Sequence, residues 1–347
     1  METPPLKRRR LAELAGLKHV SDRALASILG KLDDLGGVAA HAGRARGTIA
    51  KAVKADAMTP TTYGHLLANV DLPLASGGVY HWSVVHPAAL LSWLCQVSAS
   101  FNDHMTSLHA QKPATVASPW SIVVYVDEAT AGNMLRQDPT RKSYLWFWQF
   151  AEFGPELLSR EGNWFLGGML RSNIAHNLAG GISCMFKHWV KHFFSPGASF
   201  HDGITCDGLS KVFVIKAALH TVLADADAMK AIWRFKGSSG CKPCQFCMNV
   251  VSSRSRHIGG RFVSVESPEV RSFCLHTDQT VWGAADHLAQ LKTGTHTKKH
   301  FAEQEQMLGL PYHPEGVLWD HDLRTHVRPI SASVTGMVPC VRGWGHC

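Results

Sequence analysis

The stretch Ser121-Ile-Val-Val-Tyr-Val-Asp-Glu-Ala-Thr130 decides the fold that we predict for this chain. Residues 122–126 are a run of β-branched and aromatic side chains, which predicts a buried strand. Asp127 and Glu128 follow at once, so we expect them where the strand leaves the sheet. Layered α/β domains place ligand and metal sites at this position. The alternative is that Asp127 only caps the following turn.

The downstream pattern predicts an α/β fold. Residues 143–153 and 163–171 are expected as a second and a third strand, and the short gap between them predicts a meander. Apolar residues at helical spacing predict a helix over about 174–194. A fourth apolar run, 211–224, leads directly into Asp225-Ala-Asp227. Two predicted strands therefore each end in an acid.

These two acids predict a metal site. If the first and fourth strands are parallel neighbours, Asp127 and Asp225 lie side by side. Two carboxylates held that close repel each other unless a divalent cation lies between them. A Mg²⁺ or Mn²⁺ site for phosphodiester chemistry has this arrangement. Asp227 is a close rival for the second position, and an unrelated metal-dependent nuclease or phosphatase could use the same acids.

Length and composition favour an intracellular globular protein. The 347 residues suggest about two domains, and 45% hydrophobic with 18% charged residues is typical of packed cores. No apolar run approaches the ~20 residues of a membrane helix, and the N-terminus lacks a signal-peptide core. We therefore expect no membrane partner. The nine cysteines are an odd number at irregular spacing, which argues against a disulfide framework.

Charge points to a polyanionic partner. The formal net charge is +8, and such a basic chain favours polyanion partners such as nucleic acid, although charge alone is non-specific. A basic tetrad at 7–10 suggests nuclear import or a phosphate-contacting arm, and the alternative is a solvated, disordered N-terminus. Residues 11–56 are expected to form three short helices that resemble a helix-turn-helix module, although small helical bundles share the pattern by chance. The predicted DNA contacts are Lys7, Arg8, Arg9, Arg10, Arg44, Arg46 and Lys51.

A cysteine cluster follows the second acid. Cys241, Cys244 and Cys247 have C-x₂-C-x₂-C spacing in a glycine-containing loop, which favours a structural zinc ion. An iron–sulfur cluster is disfavoured because a fourth spaced cysteine followed by proline is missing. Cys247 is either a third ligand or a packing residue, and a loop without metal is the alternative. The candidate zinc ligands are Cys241, Cys244, Cys247, Cys274 and His276, with His257 also considered for the fourth position.

The order of these motifs resembles a known family. Val-Tyr-Val-Asp-Glu-Ala-Thr at 124–130, Leu-Ala-Asp-Ala-Asp-Ala-Met-Lys at 223–230 and Gly-Ser-Ser-Gly-Cys-Lys-Pro-Cys-Gln-Phe-Cys at 237–247 are similar to eukaryotic cut-and-paste transposases, nearest the CACTA and Plavaka-like branch. The resemblance covers roughly 115–330. It implies an RNase H-like mixed sheet flanked by helices, with Asp127 and then Asp225 as metal-binding acids. It also implies metal-dependent cleavage and transfer of DNA strands.

The sequence departs from that family at the third acid. The family places a Glu or Asp on a later helix, but Glu303, Glu305, Asp320 and Asp322 cannot be assigned to it, and 329–347 contain no acid. We therefore expect the chain to stop before the last part of the catalytic domain and to be catalytically impaired. The alternative is a non-catalytic, zinc-stabilised nucleic-acid-binding or interaction protein. A homo-oligomer is left open.

These expectations divide the chain into three parts. Residues 1–75 are predicted as a basic helical DNA-binding module and 76–118 as a helical linker. The Thr, Pro and Gly content of residues 57–80 predicts a boundary there, and apolar residues at helical spacing predict one helix over 86–111. Residues 119–347 are predicted as the RNase H-like core, incomplete at its C-terminus, with the cysteine-rich insertion at 236–276. Nuclear localisation follows from the basic tetrad and the expected DNA partner.

Overall fold

The computed structural model describes Met58 and residues 60–130, 142–208, 211–251, 263–264 and 273–335. The seven basic residues predicted to contact DNA lie outside these residues. The strands are β1 Pro60–Thr61, β2 Gly64–His65, β3 Leu67–Pro73, β4 Val79–Val85, β5 Trp120–Thr130, β6 Lys142–Phe150, β7 Phe165–Arg171, β8 Ile204–Asp207, β9 Val212–Ile215, β10 Ala217–Ala224, β11 Val250–Val251, β12 Val263–Ser264 and β13 Ser333–Thr335. The helices are α1 Pro87–Val97, α2 Ala99–Gln111, α3 Gly154–Leu158, α4 Ser172–His176, α5 Gly181–Phe194, α6 Ala226–Trp233, α7 Asp278–Thr293 and α8 Lys298–Leu308.

A mixed sheet of seven strands organises the fold, in the order β13-β10-β5-β6-β7-β4-β3. Strand β10 runs parallel to both β5 and β13, and the other neighbours are antiparallel. The predicted α/β class is therefore confirmed, with helices flanking a large mixed sheet. The expected meander is present as β5, β6 and β7, and the expected parallel pairing of the first and fourth strands is present as β5 and β10.

The core lies between this sheet and α5. Side chains alternate across a strand, so Trp146 and Trp148 of β6 point to one face, where both are fully buried. Trp146 packs against Trp189 of α5 with ring centroids 5.5 Å apart. Gly167 of β7 allows this close approach, because a Cβ there would lie 2.4 Å from the Trp189 ring. The aromatic residues of β6 thus belong to the core.

Two predicted helices are broken in the structure. The helix expected over 174–194 is interrupted before Gly181, where Gly180 and Gly181 have φ of 139° and 57°, values that side chains other than glycine rarely adopt. The helix expected over 86–111 is divided at Ser98, whose backbone is extended. The Ser98 hydroxyl accepts a hydrogen bond from the Phe101 N–H at 3.3 Å and so caps the second helix. Helical periodicity continued across both breaks and did not indicate them.

The strands near the predicted linker join the main sheet. Residues 57–80 were expected as a boundary and 76–118 as a helical linker. Instead, β3 and β4 form a hairpin there, and β4 pairs with β7 through Val84 and Gly168. Exposed and buried residues alternate along β3, as in a strand with one face in the core. The Thr, Pro and Gly content of the region indicated a boundary instead, so the strand was missed. The division into domains stays a prediction.

The apolar run 211–224 is two strands rather than one. β9 pairs with β8 in a separate hairpin, whereas β10 enters the main sheet. Among the helices that the structure describes, none combines the length and apolar character needed to cross a membrane.

Candidate functional site

The register of β5 and β10 places the two predicted acids together. Ala224 of β10 lies opposite Val126 of β5 in a parallel pair. The next residues of the two segments are Asp225 and Asp127, and neighbouring strands lie about 4.8 Å apart. Strand β10 ends at Ala224, but β5 continues to Thr130 beside β6. The expectation that β5 ends before Asp127 was therefore wrong, although Asp127 does lie at the carboxyl end of the parallel pair.

Two hydrogen bonds orient Asp127. The Tyr125 hydroxyl donates to Asp127 Oδ2 at 3.0 Å, and the Glu128 N–H donates to Oδ1 at 2.8 Å. Tyr125 precedes Asp127 by two residues, so both side chains lie on the same face of β5. Burial, the Asp127 hydrogen bond and then the charges of Asp127 and Asp225 raise the pKa of Tyr125 to about 12. Tyr125 therefore experiences the negative charge of both aspartates.

Asp225 also begins helix α6. Its Oδ1 accepts a hydrogen bond from the Ala228 N–H at 2.6 Å, which makes it the N-cap. The capping alternative considered for Asp127 thus applies to Asp225, where it typically contributes about 1 kcal/mol. Among the described residues, none donates a hydrogen bond to Oδ2 of Asp225. The cap therefore leaves one carboxylate oxygen available for another ligand.

Asp227 has a different environment from Asp225. It lies in the first turn of α6, its side chain is 92% exposed, and Lys230 donates a hydrogen bond to its Oδ1 at 3.1 Å. An exposed pair of this kind contributes little to stability. Asp225, by the strand register, is the nearer partner for Asp127. The catalytic assignment of all three aspartates stays a prediction.

Glu128 is held by structural partners that sequence reasoning missed. Ser172 donates to its Oε1 at 3.0 Å, and Lys142 donates to its Oε2 at 3.1 Å. Consecutive strand residues point to opposite faces, so the adjacent Asp127 side chain lies on the other side of β5. Burial and then the charges of Glu128 and Asp225 raise the pKa of Tyr144 to about 12. Because side chains alternate along a strand, the sequence alone could have placed Asp127 and Glu128 on opposite faces of β5.

Two of the four candidates for a third acid have other partners. Glu305 accepts a hydrogen bond from the Tyr312 N–H at 2.6 Å and lies 3.5 Å from the Lys236 ammonium. Asp320 pairs with Lys191 at 2.5 Å. Within the described ranges there is no group of three or more His, Cys, Asp or Glu side chains that could hold a metal ion. The third acid therefore stays unassigned.

Backbone pairing brings the two cysteine segments together. The Met248 N–H donates to the Cys274 carbonyl at 2.7 Å, and the His276 N–H donates to the Phe246 carbonyl at 2.8 Å. Cys247 lies opposite Leu275 in an antiparallel bridge. His257, the other candidate ligand, falls outside the described residues. Segments that are distant in sequence are therefore adjacent in the fold.

The side chains of this region favour metal-binding protonation states. A hydrogen bond from Cys247 lowers the pKa of the Cys244 thiol to about 6, against the opposing effect of burial. Burial and then the charge of Lys242 lower the pKa of His276 to about 4. Thiolate and neutral imidazole are the forms that bind metals. Cys247 is buried, Cys241 is partly buried and Cys274 is exposed, and zinc binding by the set stays a prediction.

Comparison with known proteins does not assign this chain to a family. No protein-family model matches the chain, and no curated protein is significantly similar to it. The functional argument therefore rests on the geometry of Asp127 and Asp225 and on the charge around them.

Proposed function

We propose that this chain is a transposase-derived DNA-binding protein with an RNase H-like core and a divalent-metal site at Asp127 and Asp225. One observation carries the proposal: Ala224 lies opposite Val126 in a parallel strand pair, so the two acids follow side by side. The sheet order supports it as well. A meander of β5, β6 and β7 is followed by a helix and by a strand parallel to β5, as the resemblance implies.

The two carboxylates suit a hard cation. Mg²⁺ and Mn²⁺ prefer oxygen ligands, and Asp225 retains one oxygen that is not used by the helix cap. Such a cation, when bound, lowers the pKa of a coordinated water and stabilises charge on a leaving oxygen. Tyr125 holds the Asp127 carboxylate in position through its hydroxyl. The chain's own contribution is thus two oriented carboxylates on rigid neighbouring segments.

Catalysis is impaired in this proposal. A third acid completes the ligand set in the family that the sequence resembles, and the described residues provide no group of three metal-binding side chains. Loss of one acidic ligand weakens both metal binding and charge stabilisation. We therefore expect DNA binding to be retained and strand cleavage to be weak.

DNA binding is proposed from charge. The chain has a net charge of +8, and the predicted contacts include the basic tetrad at 7–10. Protein cations that neutralise phosphates release condensed counterions, so affinity falls steeply with salt. Nuclear localisation belongs to the same proposal, because DNA is the expected partner.

A second candidate is a non-catalytic, zinc-stabilised DNA-binding or interaction protein. The backbone pairing of the segment around Cys247 with the segment around Cys274 favours it, although the described side chains of these segments do not form a group of three that could hold a metal ion. Zinc would then be structural, and the two aspartates would serve only as a helix cap and a strand residue. Cysteine thiolates and a neutral histidine would hold the ion.

The test combines binding and cleavage. Wild type, Asp127→Asn and Asp225→Asn are assayed for DNA binding at several salt concentrations and for plasmid nicking with Mg²⁺ or Mn²⁺. Asp103→Asn is the matched control, because Asp103 is exposed on α2. We expect salt-sensitive DNA binding in all four proteins and weak, metal-dependent nicking that both site variants lose. Absence of DNA binding in the wild type would refute the proposal, and metal-dependent nicking that survives both substitutions would refute the site.

A further inference from the structure

A cationic cavity lies along helix α6 and the loop that follows it. It has a volume of about 510 Å³ and is lined by α6, the loop after it, Gln306 and Pro311. Three cations line it: Lys230, Arg234 and Lys236. We call it the Arg234 cavity. Asp227, in the first turn of α6, also lines it, and Asp225 is the N-cap of the same helix.

Arg234 is held in an unusual backbone conformation. It is the C-cap of α6, and its φ of 58° is the one positive φ among the described residues other than glycines. Residues other than glycine in this region carry a conformational cost, which persists where the surrounding structure requires it. Such strain is frequent at ligand-binding positions. Helices commonly end in this left-handed conformation, and here it fixes the direction in which the Arg234 side chain leaves α6.

The Arg234 guanidinium is incompletely satisfied. Its Nε is buried and has no hydrogen-bond partner, and its Nη2 contacts Nε2 of His313. In the described part of the chain no carboxylate pairs with it. Burial lowers the pKa of Arg234, and burial followed by the charge of Arg234 lowers the pKa of His313. Because this Nε has no accessible surface, what Arg234 offers the cavity is its positive charge, which no described carboxylate balances.

The two lysines leave the cavity with one positive charge in excess. Lys230 pairs with the exposed Asp227 at 3.1 Å, and Lys236 pairs with Glu305 at 3.5 Å. Each lysine is thus balanced by one carboxylate, whereas Arg234 is not. Gly237, with φ of 56°, brings the loop close to Lys230, since a Cβ there would lie 3.0 Å from the lysine side chain. The loop therefore packs directly against the aliphatic part of the Lys230 side chain.

We propose that the Arg234 cavity binds a phosphate group, which Arg234 contacts directly and Lys230 and Lys236 flank. The planar guanidinium matches the oxygens of a phosphate in a bidentate geometry, and such bonds are strengthened by charge. Two sources share this chemistry: a phosphodiester of a DNA strand and a free phosphate. The first source rests on the proposed DNA binding, and the second does not.

The experiment uses the full chain and two probes. Inorganic phosphate binding is measured by calorimetry, and binding of a short single-stranded DNA by fluorescence anisotropy over a salt series. Arg234→Asn removes the cation while asparagine tolerates the left-handed backbone. Lys230→Gln is a second variant that does not touch that backbone. Lys112→Gln is the control, because Lys112 is exposed and contacts Trp120 at the opposite end of β5.

We expect Arg234→Asn and Lys230→Gln to weaken phosphate binding, the former by at least about tenfold, and Lys112→Gln to leave it unchanged. If the source is DNA, both variants also weaken DNA binding, and the salt dependence becomes shallower by about 0.7 per lost contact. Phosphate binding that depends on Arg234, together with unchanged DNA binding, identifies free phosphate.

Two outcomes separate this inference from the proposed function. If the wild type binds DNA, but phosphate and DNA affinities are the same in both cavity variants, the cavity site is refuted while DNA binding stands. If the wild type binds phosphate through Arg234 but binds no DNA, the cavity site stands and the proposed function fails. Circular dichroism confirms that each variant is folded.

Discussion

Replacing Asp225 by asparagine separates its role as helix cap from its proposed role as metal ligand. Asp225 Oδ1 accepts the Ala228 N–H at 2.6 Å, and asparagine retains an oxygen for that bond. Asparagine and aspartate cap helices about equally well, whereas alanine does not cap at all. The charge, by contrast, is removed in both Asp225→Asn and Asp225→Ala. The difference between the two variants therefore measures the cap, and the difference between wild type and Asp225→Asn measures the charge.

The size of the effect without metal follows from the strand register. Two unit charges about 5 Å apart repel by roughly 1 kcal/mol in water and roughly 3 kcal/mol at an effective dielectric constant near 20. Asp127 and Asp225 are both exposed, so the lower value applies. Loss of a negative charge at the start of α6 offsets about 0.3–1 kcal/mol of that relief. We expect Asp225→Asn to lie within about 1 kcal/mol of wild type and Asp225→Ala about 1 kcal/mol below Asp225→Asn.

A divalent cation should raise the stability of the wild type above that of both variants. A ligand that binds the folded state stabilises it by about 2.7 kcal/mol at a concentration 100 times its dissociation constant. For a chain of this size that corresponds to a rise in Tm of roughly 5 °C. The wild type gains this stability because both carboxylates contact the cation. Neither Asp225 variant gains it.

Thermal unfolding followed by circular dichroism, in EDTA and in increasing Mn²⁺, measures both quantities. Asp103→Asn should respond to Mn²⁺ as the wild type does. If Asp225→Asn keeps the full rise in Tm, Asp225 is not a ligand and the shared site is refuted. If the wild type shows no rise at millimolar Mn²⁺, the two acids do not form a metal site.

Three further predictions concern packing, pH and zinc. Gly167→Ala should destabilise the protein by about 1–3 kcal/mol in denaturant unfolding, because its Cβ would meet Trp189 at 2.4 Å. Gly283→Ala, on an open helix surface, should stabilise by up to about 1 kcal/mol. Burial and then the charge of His192 lower the pKa of His86 from 6.5 to about 4, so the unfolded chain binds a proton first as the pH falls. The free energy of unfolding therefore falls as the pH is lowered from 6.5 to about 4. Asparagine at position 86 can still accept the Ala89 N–H but does not titrate, so His86→Asn should lose less stability over this range. Denaturant unfolding at a series of pH values measures the difference. Cys244→Ser should lower the zinc content measured by mass spectrometry.

Each of these predictions has an outcome that contradicts it. Equal stability of Gly167→Ala and wild type would mean that β7 and α5 are not packed as described. A stability profile unchanged by His86→Asn between pH 6.5 and 4 would mean that His86 is not held neutral by the fold. For zinc, Cys95→Ser is the control, since Cys95 is buried in α1. Equal zinc content in both cysteine variants would exclude Cys244 as a ligand.

Local patterns predicted the central part of the fold. The β-branched run at 122–126 predicted β5, and the short gaps after it predicted the meander. The same patterns missed the hairpin of β3 and β4, where loop-forming residues are mixed with strand residues. They also missed the breaks before Gly181 and at Ser98, because helical periodicity continues across them. Breaks of this kind depend on backbone dihedral angles that periodicity does not report.

The sequence likewise predicted only part of the candidate site. Chain order alone placed an acid after each of two apolar runs, because a strand's hydrophobic residues and the polar residue that follows are adjacent in sequence. The sequence could not show that Ala224 pairs with Val126, and it placed the two acids side by side only if their strands were parallel neighbours. Strand register depends on contacts across the sheet. The cap on Ala228, the Ser172 and Lys142 contacts of Glu128, and the strained Arg234 arise from tertiary packing. The sequence by itself therefore determined which acids are available. Only the tertiary structure decided which of them are neighbours, because that distance is set by strand pairing between segments about a hundred residues apart.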